Sequence, residues 1–135
     1  MIRQLTVEEI SARWAELAPR VQRAIVRGNG EYDIEDIYRD LVSEDIRFWV
    51  LEGITGKLSS ICVTQVIRFD RISVCSIIIA EGHTDSRWLP AIERIGSWAK
   101  AQGCSRLEAR ARPGWKRSAA VFGFKYLHTT IAKQL

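Results

Sequence analysis

Four segments follow one another directly: a β-branched run from Ile72 to Ala80, a polar turn over Glu81 to Ser86, an apolar-striped stretch from Trp88 to Gln102, and a strand-like run from Arg106 to Ala111. Trp88, Ala91, Ile92, Ile95, Trp98 and Ala99 recur at three- and four-residue spacing, which predicts a helix with one buried face, closed by Gly103. A strand, a helix and a strand in that order form a crossover that sets the second strand parallel to the first. Ile77-Ile78-Ile79-Ala80 is apolar on both alternating faces, as suits a central strand covered above and below.

The residues before this unit predict a short strand, two helices and two further strands. After the strand Ile2 to Leu5, Thr6 precedes Glu9 by three, the spacing of a capping box, and opens a helix with Ile10, Trp14, Leu17 and Val21 on one stripe. Pro19 predicts a kink or two abutting segments. Gly28-Asn29-Gly30 breaks the chain. Asp33 then caps a second helix with Ile34, Ile37, Tyr38, Leu41 and Val42 inward and the acidic residues Glu35, Asp36, Asp40, Glu44 and Asp45 outward. That outer face reads as solvated, or as a docking surface for a basic partner. Arg47 to Glu52 reads as a strand. Leu58 to Phe69 alternates with period two, predicting one buried face, and Asp70-Arg71 turns it into the run at Ile72. Beyond the crossover, Trp115 to Phe122 reads as a compact helix ending at Gly123-Phe124, and Phe124 to Ala132 as a final strand.

A chain of 135 residues is expected to form one domain over 1–135, burying roughly two thirds of its unfolded surface. Residues 1–80 hold 10 basic and 12 acidic side chains and residues 81–135 hold 10 and 4, so the positive surplus lies in the C-terminal part. Such a face can attract phosphates, nucleic acid or an acidic partner. Cys62, Cys75 and Cys104 are odd in number and widely spaced, and read as reduced core thiols of an intracellular protein. No apolar run reaches the ~18 residues that would span a membrane, and the first residues open no signal-peptide pattern, so a cytoplasmic protein is expected.

The order β-α-α-β-β-β-α-β-α-β, an α/β (α+β) layout with helices on a largely antiparallel sheet, resembles the GNAT acetyltransferase fold over essentially the whole chain. The stretch Trp115-Lys116-Arg117-Ser118-Ala119-Ala120-Val121-Phe122-Gly123-Phe124 resembles the fourth GNAT helix with its closing Gly-Phe. Arg112-Pro113-Gly114-Trp115 together with Gly123-Phe124 is similar to an Arg-x-Gly-Trp…Gly-Phe pattern in small GNAT-like proteins of tailed bacteriophages, some of which lie inside the virion.

The resemblance implies an acetyl-CoA site at the turn after the central strand, where backbone N–H groups and a helix start meet the pyrophosphate. The candidates are Ile79, Gly82, Thr84, Ser86 and Arg87. This turn has one glycine where the family pattern has two or three, and it inserts Asp85. A like-charge contact at ~4 Å and an effective dielectric near 20 costs about 4 kcal/mol before screening. The family's acid tyrosine, four residues before the Gly of Gly-Phe, is here Ala119, and Tyr126 lies beyond. The usual terminal hairpin is reduced to one strand.

Glu81 and Glu52, each at a strand end, are candidate general bases, and His83 titrates near working pH; the plainer readings are rim carboxylates and a solvated turn histidine. Cys75 is a thioester nucleophile only if a base lies beside it; mid-strand, it reads as core. Arg106, Arg110, Arg112, Lys116 and Arg117, with Trp115 as a stacking surface, are candidates for holding phosphates or a partner, or are solvated charges around a core tryptophan. No cysteine pair has metal-ligand spacing, and no metal is expected. The reading that combines these is a phage-related GNAT-like domain with an incomplete acetyl-CoA loop, acting through contacts with a phage or host protein in the virion or host cytoplasm. Its rivals are a working acetyl-CoA-dependent N-acetyltransferase and a basic nucleic-acid-binding module; a homo-oligomer is compatible with each.

Overall fold

A computed structural model of the chain describes residues 1–82, 88–110 and 120–135. Five strands form one sheet in the order β1-β2-β3-β4-β5: β1 (Ile2–Gln4), β2 (Arg47–Glu52), β3 (Leu58–Arg68), β4 (Ser73–Glu81) and β5 (Arg106–Ala109). The first four are antiparallel neighbours, and β5 runs parallel to β4. Helices α1 (Val7–Val26) and α2 (Ile34–Val42) lie between β1 and β2, and α3 (Trp88–Ala101) lies between β4 and β5 as the crossover. The mixed, mainly antiparallel architecture is the one the sequence predicts.

Both expected helix starts form as read. Thr6 Oγ1 accepts from Glu9 N while Glu9 Oε1 accepts from Thr6 N, each at 3.1 Å, and Asp33 Oδ1 accepts from Glu35 N at 2.8 Å. At the far end of α3, Gly103 has φ +88, and Cys104 N and Gly103 N donate to the carbonyls of Ala99 and Lys100, a Schellman closure. Asp70-Arg71 closes the β3–β4 hairpin, with Phe69 N donating to Ile72 O at 2.8 Å.

Three expectations need correction. Pro19 does not divide α1 into two segments or end it: the helix is continuous from Val7 to Val26. Pro19 and Ala15, whose carbonyl loses its helical partner to the ring, are both exposed, so water can take the free acceptor. Strand β3 is buried on both faces over Ser60–Thr64. One face packs on α1 and α2, with Ile61 and Val63 joining Leu17, Val21, Ile37, Leu41, Phe48 and Val50. The other packs under α3, where Cys62 joins Trp49, Cys75, Trp88, Ala91 and Ile95. Small side chains on that second face let the helix approach the sheet. Finally, residues 124–132 form no strand, although Phe124 to Ala132 alternates as one would. The fourth helix lies mostly outside the described residues; its last residues, Ala120 and Val121, are helical.

Candidate functional site

The carboxyl ends of β2 and β4 and the start of β3 come together at one end of the sheet, since Glu52 pairs with Leu58 and Glu81 with Ile61. Both candidate bases are therefore at that end, and both are engaged by arginines. Arg20 Nη1 donates to Glu81 Oε2 at 3.1 Å, and Arg23 Nε lies 3.4 Å from Glu81 Oε1. Arg20 also donates to the carbonyls of Ser59 at 2.8 Å and Leu58 at 3.0 Å. Around Glu52 the pattern repeats: Arg3 Nε lies 3.1 Å from Oε1 and Arg13 Nη1 3.5 Å from Oε2. Arg13 and Arg20 are seven residues apart on α1 and so share a face. That face clamps the ends of β2 and β4. The clamp is absent from the sequence reading; its signal is arginine at a two-turn spacing beside the apolar stripe that ends at Val21.

Gly82, a candidate for cofactor binding, continues β4 with φ +120. A Cβ there would lie 2.4 Å from Ser60 Oγ and 2.7 Å from the Ser59 carbonyl, so its bareness is required by the neighbouring strand. Beside it the Ser59 hydroxyl is buried, with no hydrogen-bond partner among the described residues.

Strand β4 is irregular at this end. Val63 pairs with Ile79 and Thr64 with Ile77, so Ile78 is an extra residue that bulges the ladder. The ladder to β5 covers only Val74 to Ile77. Among the described residues, Ile78 to Glu81 have no β5 partner. The Ile79 side chain belongs to the core under α1 and α2; its backbone lies beyond the last β5 pair, at Ile77.

His83, Thr84, Ser86 and Arg87 lie outside the described residues, as do Asp85, Arg112, Trp115, Lys116, Arg117 and Ala119. Of the predicted basic patch, Arg106 pairs with Glu108 at 2.7 Å, and Arg110 extends from the sheet, 4.0 Å from Glu31. Cys75 is fully buried, and burial pushes its thiol up to about 12; the same cause raises Cys62 further. These are the protonated core thiols of the plainer reading, and the thiolate that an attack on a thioester needs is disfavoured at Cys75. Trp49 is fully buried, edge-on to Trp98 at 5.5 Å between ring centroids, with the Arg94 guanidinium 5.5 Å from its ring. No cluster of metal-ligating side chains occurs among the described residues, and no helix there is long and apolar enough to cross a membrane.

Comparison with solved structures gives close full-length likenesses at low identity. A predicted acetyltransferase with acetyl-CoA from Clostridium acetobutylicum matches at TM-score 0.72 and 13% identity, covering 99% of this chain and 95% of that one. Glucosamine-6-phosphate N-acetyltransferase from Arabidopsis thaliana matches at 0.67 and 17%, covering 99% and 97%. Ribosomal-protein-alanine N-acetyltransferase from Brucella melitensis biovar Abortus 2308 matches at 0.68 and 12%, covering 100% and 99%. This chain has the GNAT acetyltransferase fold. No protein-family model matches it, and no curated protein does. The cofactor expectation falls on the end of β4 and the turn after it, and the described part of that region is Ile79 to Gly82.

Proposed function

We propose that this GNAT-fold domain acts through protein contacts, in a phage-related setting, and does not transfer acetyl groups. The observation that carries the reading is the state of Glu81. Each of its oxygens faces a guanidinium, and its side chain is only 10% exposed. A general base must offer a free lone pair to the proton it removes. Here Arg20 and Arg23 would first have to leave, and Arg20 is also held by two β3 carbonyls. Glu52 is tied in the same manner by Arg3 and Arg13, so neither candidate is free to act. The single glycine and the Asp85 of the turn weaken the expected diphosphate grip, and Ala119 supplies no acid. The phage setting rests on the resemblance of Arg112-Pro113-Gly114-Trp115 and Gly123-Phe124.

The second reading, an acetyl-CoA-dependent N-acetyltransferase, is favoured by the bulge at Ile78 and by the end of β4, which has no β5 partner among the described residues. An open strand edge offers amide and carbonyl groups that suit an extended, amide-bearing ligand arm. When bound, acetyl-CoA would supply the activated acetyl group, and Ile79 and Gly82 would position it through their backbone. Calorimetric titration with acetyl-CoA separates the readings, paired with a thiol-release assay against a panel of amines. No binding heat and no thiol release are expected; micromolar affinity would return the domain to the enzymes, with turnover identifying the acceptor.

A further inference from the structure

Helices α1 and α2 meet through Trp14 and Tyr38, whose ring centroids lie 4.7 Å apart with the planes tilted by 54°. Both side chains pack against the core under the two helices yet are only half-buried, so each keeps part of its ring at the surface. The Tyr38 hydroxyl lies 3.2 Å from Ser11 Oγ, which fixes the phenol across the helix pair. The two rings, Ile34 and Glu35 line a cleft of about 190 Å³. Pockets for drug-sized ligands run from roughly 300 to 1,000 Å³, so this cleft takes one side chain or a group of that size. Aromatic faces attract a cation, and a carboxylate in the same lining adds to the attraction. Asp36 and Asp40 are held by Arg39 within α2, whereas Glu35 is a wall of the cleft. The cleft and the arginine clamp use different faces of α1: Trp14 turns to α2, while Arg13 and Arg20 turn to Glu52 and Glu81.

We propose that this cleft receives the ammonium end of a lysine from a basic segment of a partner protein. The apolar stem of a lysine suits Ile34, and its compact charged head suits the notch between the rings and the Glu35 carboxylate. A guanidinium plane stacks best on a flat ring face, which two rings tilted by 54° do not offer together. The surroundings select a protein segment over a single amine. From Asp33 to Asp45 the chain carries six carboxylates and one arginine, although its net charge is +4. Such a face draws in a basic segment, and one lysine seated in the cleft sets its register. The inference rests on the reading of the domain as a protein-contact module and gives that partner its chemistry.

NMR titration of the full chain with a synthetic peptide of alternating lysine and serine tests it, beside the same peptide with acetylated lysines and one with arginines in their place. The expected result is a shift of the Trp14 indole resonance, assigned through Trp14→Phe, with a dissociation constant below about 1 mM for the lysine peptide. The acetylated peptide should leave the resonance in place, and the arginine peptide should bind more weakly. Glu35→Gln should weaken the lysine peptide roughly fivefold and Asp36→Asn by less than about twofold. Both carboxylates are exposed in the first turn of α2, so the two variants lose the same charge at the same helix end. Equal weakening by the two, a Trp14 resonance that the lysine peptide does not move, or arginine binding as tightly as lysine would each overturn the proposal. Adding acetyl-CoA to the same samples separates it from the reading beneath it. Thiol release that depends on the lysine peptide would overturn the non-catalytic reading and leave the occupant of the cleft standing, whereas neither binding nor thiol release would overturn the occupant alone.

Discussion

Arg20 holds Glu81 at 3.1 Å and, with the same guanidinium, donates to the carbonyls of Leu58 and Ser59. One side chain of α1 thereby ties the start of β3 to the end of β4. The planar fork matters, because an ammonium on a flexible stem cannot serve three acceptors in fixed directions. Arg20→Ala is expected to cost about 2 kcal/mol, leaving a largely buried carboxylate with Arg23 as its remaining charged partner among the described residues. Arg20→Lys should recover only part of that loss. Urea midpoints of the three proteins at constant slope check the order; equal midpoints for Arg20→Ala and the parent would show that the clamp contributes nothing.

Gly82 and Gly96 should respond to alanine in opposite directions. At Gly82 the φ of +120 and the 2.4 Å approach to Ser60 Oγ, with two backbone atoms at 2.7 Å, leave nothing flexible enough to yield except the serine tip. Strain and overpacking together put Gly82→Ala at about 3 kcal/mol of destabilisation. Gly96 sits within α3 with nothing within 4 Å of a built Cβ. Gly96→Ala should therefore stabilise the fold by about 0.5 to 1 kcal/mol through helix propensity. Thermal melts of the two variants side by side provide the measurement.

The parts of the fold that depend on local chemistry were readable from sequence. Thr6 and Glu9 mark a helix start because each answers the other's backbone N–H. The β3–β4 hairpin showed in two alternating runs joined by Asp70-Arg71, and the crossover in the stripe from Trp88 to Ala99. What could not be read depends on partners. Alternation in Phe124 to Ala132 expresses a preference for a pleated, half-buried surface, but it does not say which edge supplies that surface, and among the described residues no ladder includes it. The burial of Ser60 and Thr64 was not readable, because small and polar residues mark exposed faces as well as tight helix contacts. At the candidate site, Glu81 and Glu52 were correctly placed at strand ends; their arginine partners arrive from residues 39 to 61 positions away, a separation that no local pattern records.

Thr64 is the polar centre of the core beneath α3. The indole N–H of Trp49 donates to Thr64 Oγ1 at 3.0 Å with both residues fully buried, and a hydrogen bond between Thr64 and the Cys75 thiol holds that thiol somewhat below where burial alone would put it. Thr64→Val preserves the shape and strands the indole N–H, at an expected cost of about 2 kcal/mol. Adding Trp49→Phe to that variant removes the stranded donor, so the double variant should be less destabilised than the two single changes summed. A double-mutant cycle in urea that closes additively would show no interaction between them.

Cys62 and Cys75 predict how stability falls in alkali. Burial raises both thiols above the ordinary 9.0, Cys75 to about 12. In the folded chain they keep their protons, whereas in the unfolded chain they ionise as the pH passes about 9, so above that point the native state binds more protons than the unfolded state. The contribution is fully present below pH 9 and is lost as pH rises through the window up to about 12, by about 1.4 kcal/mol per pH unit for each thiol. Burial raises the Tyr32 phenol as well, which adds a loss above its ordinary 10.0. Unfolding free energies measured between pH 8 and 10 isolate the thiols: the parent should lose stability more steeply than Cys62→Ala/Cys75→Ala, although the double variant starts lower because two core side chains are truncated. Alkylation supplies the independent check. At pH 8 the half-buried Cys104 should react with iodoacetamide in the native protein while Cys62 and Cys75 wait for unfolding, and rapid native labelling of all three would mean that the face under α3 is open to solvent.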